Sequence, residues 1–329
     1  MALHLRQALA RRRLSAAKAM TTLIYTHADC FEHRPRPHHP ESPERLRAVL
    51  EALRHPSFAD ARWRDAPLGT PEQVLLVHTP GYLESVQARS PTDGYRALDA
   101  GDTIMSPGTL RAVMRCVGAA CAGVDAVVGG DADNVFCATR PCGHHAEAGT
   151  AMGFCVFNQA AIAALHARQA HRLRRVAVVD FDVHHGNGTQ HSFADDAELF
   201  YGSSHQAPFY PGTGARSERG VAGNIVNIPL ARGCGSAEFR ARMTDEMLPA
   251  LRRFDAELLI ISAGFDAHHD DPLGGLQLTD DDFHWITVEL MRVARDTARG
   301  HVVSILEGGY SLDGLASGTS AHVRALMGR

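Results

Sequence analysis

Six short apolar runs punctuate this chain, and helical patterns lie between them. That alternation narrows the possible folds more than any other feature. The runs are Thr22–Tyr25, Asn134–Ala138, Val176–Asp180, Leu199–Tyr201, Leu258–Ser262 and Val302–Leu306. Helical spacing of apolar residues covers Pro43–Leu53, Pro107–Val128, Asn158–Ala170, Ala237–Phe254 and Asp280–Arg299. Ser42 reads as the N-cap of the first helix, with Pro43 in its first turn and Glu44 near the positive end of its dipole. Strands alternating with helices predict an α/β fold, a mostly parallel sheet with helices on both faces. The strands are nearly continuous in apolar residues, as expected when both faces are covered. With no repeat, low-complexity tract or linker, residues 21–329 read as one domain. Two stretches, about Ser85–Ser106 and Gly202–Gly223, read as long loops, which in a compact domain usually carry function.

Composition excludes some partners. Hydrophobic residues make up 45% and charged residues 21% of the 329, a globular balance. The net charge of −4 supplies no general field for nucleic acid. No apolar run approaches the roughly 18–20 residues of a membrane span, so no membrane partner is expected. The seven cysteines form no Cys-x-x-Cys pair, which fits reduced thiols in a cytoplasm. Residues 1–20, rich in Arg and free of acids, form a basic extension. Such a segment is read as a targeting presequence, a short amphipathic extension, or the product of a start codon upstream of Met20.

Ligands of parallel α/β sheets lie outside the carboxyl ends of the strands. Four strand ends here carry polar clusters: "RPCGHHAEAG", "DFDVHHGNG", "SAGFDAHHDDPLGG" and "LEGGYSL". In extended chain alternate side chains share a face, so Asp180, Asp182 and His184 face one way while Phe181 and Val183 face the other. Asp182 and His184 can offer an oxygen and a nitrogen to one metal, a mixed set that suits Zn²⁺. Asp266 is the best third ligand, closing the other long apolar strand. Alone, Asp182 and His184 would more simply cap the next helix or pair with arginines; three further polar strand ends reverse that preference. His144 and His145 suit a general base, with Asp180 and Asn187 as acceptors behind them, or else merely open a helix. Tyr310 either donates a hydrogen bond to an oxyanion or belongs to an interface. Gly308-Gly309 would let the chain turn beneath it.

Taken together, "HPESPERL", "RPCGHHAEAGTAMGFCVFN", "VDFDVHHGNGTQHSF", "FYPGTG", "SAGFDAHHDDPLGGLQLT" and "LEGGYSL" resemble the histone deacetylase and acetylpolyamine amidohydrolase superfamily. The bacterial-type class II amidohydrolases are most similar, from about Tyr25 to Gly314. The resemblance implies an arginase/deacetylase-like fold and a zinc-dependent hydrolase of linear amides, acting on an acylated lysine peptide or protein or on a small acylated amine. By position, Asp182, His184 and Asp266 would bind zinc. His145 would be the base, His144 an electrostatic partner paired with Asp180, and Tyr310 the group that polarises the carbonyl. The family also binds potassium. One site would take Asp180, Asp182, His184, Ser203 and Ser204; a second, weaker one would take Phe193, Asp196, Leu199 and Asn224. Phe154 and Tyr210 would wall the acyl-lysine tunnel, with Gly153 in its floor. A homo-oligomer and a cytoplasmic location complete the expectation.

Several positions depart from the family pattern. Asn187 stands for the aspartate of class I enzymes, as it does in class II. Tyr210 stands for a tunnel phenylalanine, Cys142 for the second proline of Arg-Pro-Pro-Gly, and Leu273 for the glutamate gate of polyamine-selective relatives. Three rival readings stay open. One is a deacetylase of polyamines or other small amides, with acids supplied by Asp93, Asp99 and Asp102. Another is a binuclear arginase-like hydrolase, disfavoured by Gly186 and Gly264 where carboxylates would be needed. The third is a non-catalytic binder of acylated ligands.

Overall fold

Eight strands pair into one sheet in which every neighbouring pair is parallel. The computed structural model describes residues 20–329, so the basic extension lies outside the described residues except for Met20. The strands are β1 (Thr22–Thr26), β2 (Arg62–Asp65), β3 (Arg96–Ala97), β4 (Ile104–Met105), β5 (Asn134–Cys137), β6 (Val176–Asp180), β7 (Leu199–Gln206), β8 (Ile225–Leu230), β9 (Leu258–Ala263) and β10 (Val302–Leu306). In the large sheet their order is β2-β1-β5-β10-β9-β6-β7-β8, and β3 and β4 form a separate hairpin.

The period of two along each strand divides the core. Phe136, Ala177, Val179, Leu259 and Ile261 pack on one face, against helices Pro43–Leu53, Asp280–Thr297 and Leu312–Leu326. Val135, Val176, Val178, Leu258 and Ile260 pack on the other, against Thr109–Val128 and Gln159–His171. All six strands expected from the sequence are present, doubly covered as their composition requires. No helix among the described residues is long and apolar enough to cross a membrane.

The differences from expectation have local causes. Strand β2 is Arg-Trp-Arg-Asp, exposed at every residue, and β8 carries Pro229; both lie at sheet edges, where charge and proline are tolerated. Strand β7 runs on to Gln206, so Ser203 and Ser204 are buried strand residues rather than loop. Likewise, Ser85–Ser106 is not one irregular stretch. Its start belongs to helix Pro80–Arg89, capped by the Thr79 side chain, and the β3–β4 hairpin follows. The helix expected over Ala237–Phe254 contains a π turn at Met243–Met247, just before Pro249, whose missing N–H breaks the regular ladder. Ser42 occupies the cap position before Pro43, but its side chain makes no capping hydrogen bond.

Candidate active site

Four adjacent central strands, β5, β10, β9 and β6, deliver the polar clusters to one end of the sheet. Phe181 and Val183 continue the apolar face beyond the end of β6 and are buried in the core, leaving Asp180, Asp182 and His184 on the other side. His184 Nδ1 lies 3.2 Å from Asp182 Oδ1 and 3.2 Å from Asp266 Oδ2. Those separations match the roughly 3.3 Å between ligand atoms around a tetrahedral zinc with bonds near 2.0–2.1 Å. Asp182 and Asp266 are fully buried, and backbone amides orient both. Gly308 N donates to Asp182 Oδ2 at 2.8 Å, and Val183 N to Asp266 Oδ1 at 2.8 Å. The other Asp266 oxygen, which faces His184 Nδ1, makes no hydrogen bond of regular geometry. Burial, then the charge of Asp182, pushes the Asp266 carboxyl up to about 7. Two buried carboxylates side by side, one with an oxygen that makes no regular hydrogen bond, are what a cation would relieve, so the donor set fits zinc. Two other His/Asp groups among the described residues, Asp125–His166–His171 and His268–His269–Asp270, lie at or near the surface.

Glycine is required where these carboxylates approach the backbone. A Cβ on Gly264 would fall 2.1 Å from Asp182 Oδ2, and one on Gly308 would fall 2.1 Å from Asp266 Oδ2. A Cβ on Gly186 would meet Asp180 Oδ2 and the Tyr201 hydroxyl at 2.5 Å. Neither Gly186 nor Gly264 leaves room for the extra carboxylates of a binuclear site.

His144 and His145 follow β5 with ring centroids 4.0 Å apart. They have different partners. His144 Nδ1 is 2.9 Å from Asp180 Oδ2, whereas His145 Nδ1 is 2.9 Å from Asn187 Oδ1. Burial works against a cation at His144, but Asp182 and Asp180 outweigh it and hold the ring well above the ordinary imidazole range. Burial, then His144 and His184, push His145 well below that range. The Asn187 amide nitrogen donates to His145 O and Glu147, which directs its oxygen at His145. Nδ1 of His145 is therefore the donor, and Nε2 keeps a lone pair.

Above this floor opens a cavity of about 220 Å³. His145, His184 and Tyr310 reach it from below; Gly153, Phe154, Phe209, Tyr210 and Leu273 form its walls, and Asp102 lies at its rim. Phe209 stacks on His184 at 5.2 Å, and Tyr210 meets His145 edge-on at 5.2 Å. Gly153 and Phe154 are the two positive-φ residues of a tight turn closed by Met152 and Cys155. A side chain on Gly153 would strike His145 at 2.4 Å. Gly309, at φ 127°, makes the turn that presents Tyr310, as expected. A larger hollow of about 640 Å³ lies at the opposite end of the sheet, near Arg295, Arg299 and His301, without comparable convergence.

The residues expected to hold potassium also come together. Asp180 pairs in register with Ser203, beside Asp182 and Ser204. The carbonyls of Phe193, Asp196 and Leu199 converge within 2.8–3.1 Å of Asn224 Nδ2, which donates to them.

Four further residues, Glu307, Asp271, Arg45 and Glu41, support the site through the backbone and through buried ion pairs. Glu307 accepts from the backbone amides of Gly143 and His144, and Asp271 from those of Tyr310, Ser311 and Leu273. Arg45 donates to the carbonyls of Glu307 and Gly309 at 2.6 and 2.5 Å. Glu41 joins Arg45 to Arg140, the residue that opens the His144–His145 loop. The only sequence signal for these is their place inside the quoted motifs.

The histone deacetylase domain profile matches residues 39–326. Histone deacetylase 14, chloroplastic, of Arabidopsis thaliana is 35% identical, over 93% of this chain and 77% of its own length. Polyamine deacetylase HDAC10 of Mus musculus is 37% identical, over 88% of this chain and 45% of its own length. The crystal structure of the HDA15 HD domain superposes with a TM-score of 0.89 at 33% identity, covering 94% of this chain and 89% of that one. A parallel sheet of this order, with its polar strand ends drawn into one buried cluster, has its counterpart there, and the chain belongs to the histone deacetylase family of hydrolases acting on acetylated amides.

Proposed function

We propose that the chain is a zinc-dependent deacylase of the lysine ε-amino group. The observation that carries this reading is the cavity itself. Its apolar walls suit the methylene stem of an acylated lysine, and its floor presents His145, His184 and Tyr310 together. Asp182, His184 and Asp266 would hold the metal, which supplies Lewis-acid chemistry at the amide. The Nε2 lone pair of neutral His145 takes a proton from the attacking water and later returns one to the leaving amine. The Tyr310 hydroxyl donates to the carbonyl oxygen as charge builds there. His144, held cationic by Asp180, adds positive charge beside the reacting centre. Potassium at Asp180, Asp182, His184, Ser203 and Ser204, and at the Asn224 cluster, belongs to the same reading. So does a cytoplasmic location, since all seven cysteines are free.

One observation favours a second substrate. Asp102 places a carboxylate at the rim, from a different segment than Leu273, where a cationic polyamine would pass. The similarity to a polyamine deacetylase adds weight to that reading. A panel of acetyl-lysine peptides, longer acyl-lysines and acetylspermidine on one zinc-reconstituted preparation separates the two. We expect higher kcat/KM on acetyl-lysine peptides; a clear preference for acetylspermidine rejects the lysine assignment.

A further inference from the structure

Behind the cavity wall, two thiols that the proposed reaction does not use lie against each other. Cys155 Sγ is 3.3 Å from Cys142 Sγ, and both point at the carbonyl of Gly153, at 3.3 and 3.7 Å. Both are buried, at 3% exposure for Cys142 and 0% for Cys155. We propose that this pair is a reversible oxidation site, which a hydroperoxide closes into a disulfide that switches the active site off.

The step balances with one peroxide. The Cys142 thiolate attacks a peroxide oxygen, the O–O bond breaks, and water leaves after protonation, giving a sulfenic acid. Cys155 sulfur then attacks the Cys142 sulfur; the S–O bond breaks and takes the Cys155 proton away as a second water. Two thiols and one hydrogen peroxide become one disulfide and two waters. The order follows from the surroundings. Burial, then the contact with Cys142, push the Cys155 thiol well above its ordinary range, which disfavours Cys155 as the attacking thiolate.

Geometry connects the bond to the active site. A disulfide needs its sulfurs about 2.05 Å apart, so these must close by a little over 1 Å. Cys142 is two residues before His144, and Cys155 closes the turn whose Gly153 packs on His145. Oxidation also removes both S–H donors from Gly153 O. The Gly153–Phe154 turn and His145 then shift together, and displacement on that scale costs roughly a hundredfold in turnover.

The test treats the zinc-loaded protein with hydrogen peroxide and follows titratable thiols, cysteine mapping by differential alkylation, zinc content and deacetylation. We expect thiols to fall from seven to five, with the loss mapping to Cys142 and Cys155. Activity should fall with zinc retained, and dithiothreitol should restore both thiols and activity. Cys142→Ser and Cys142→Ala should each abolish the reversible loss, and Cys155→Ser should trap a sulfenic acid at Cys142. Seven thiols surviving peroxide overturn the proposal. So does loss at cysteines other than Cys142 and Cys155, or a Cys142→Ala variant that loses and regains activity like wild type. Only the effect on turnover rests on the deacylase reading; thiol count and mapping report the bond even if no acyl substrate is cleaved.

Discussion

The floor and the rim of the cavity are built on different physical terms. In the floor, Asp182, Asp266, His144 and His145 are buried, and nearly every polar atom is fixed by a backbone amide or a buried side chain. At the rim, Tyr210 is 39% exposed and Asp102 lies on an exposed turn. Asp99 holds that turn by accepting from the amides of Gly101, Asp102 and Thr103. A group fixed by several buried bonds can be tuned, as the two histidines are, by a carboxylate behind one and an amide behind the other. A group at a wet rim adjusts to what enters. Chemistry should therefore reside in the floor and selection at the rim, and the two should fail differently.

The largest expected effect is in the floor. His145→Ala should lower kcat by about 10²–10⁴ with zinc content unchanged, since a positioned proton acceptor contributes on that order. Turnover and metal analysis on one preparation check this, and near-normal kcat at every pH would remove His145 from the role.

Beneath the floor lies the Glu41 network. Burial opposes ionisation of Glu41, but Arg140, His33 and Arg45 outweigh it and hold the carboxyl well below the ordinary range. A depressed folded-state pKa gives stability that is fully present above the unfolded value near 4.5 and is lost as pH falls through the folded value. Glu41→Gln should cost about 3–5 kcal/mol near neutral pH, since it leaves buried arginines unpaired. The variant should also lose less stability than wild type as pH falls below about 4.5. Denaturant unfolding across pH measures both, and a wild-type slope in the variant would show that Glu41 is not the linked group.

A smaller effect marks the boundary between floor and rim. One Asp271 oxygen accepts from Tyr310 N and Ser311 N, the other from Leu273 N. Asp271→Ala should lower kcat roughly tenfold, less than the 10²–10³ for losing an oxyanion donor outright. Asp271→Asn keeps one acceptor, and its oxygen should turn towards the two donors at Tyr310 and Ser311. It should spare kcat and change KM. Equal losses in both variants would contradict that division.

Much of the floor is legible in the sequence, because alternation along a strand tells which side chains share a face and because strand ends are where parallel sheets bind. Asp182, His184 and Asp266 follow from those two rules with the motif resemblance. Glu307, Asp271, Glu41 and Arg45 do not, since each acts by holding backbone or a buried ion far along the chain; Arg45 and Gly309 are 264 residues apart. The edge strands are not legible for a related reason. Strand β2 has no buried residue and β8 holds a proline, so neither carries the apolar run by which the central strands are recognised.

The smallest effect belongs to the rim. Leu273→Glu should move the ratio of kcat/KM towards acetylspermidine by about fivefold, the equivalent of ~1 kcal/mol for a partly exposed ion pair. Tyr210→Phe should change the acyl preference without changing zinc content. An unchanged ratio in Leu273→Glu would shift selection to Asp102.

The central claim is that a metal held by Asp182, His184 and Asp266 drives amide hydrolysis on this floor. The direct measurement is deacetylation of an acetyl-lysine peptide by one preparation, stripped by chelation and then titrated with zinc. Activity should vanish with the metal and return in proportion to zinc, saturating at one ion per chain; Asp182→Ala should bind none there and stay inactive. Full turnover by the metal-free protein would contradict the account.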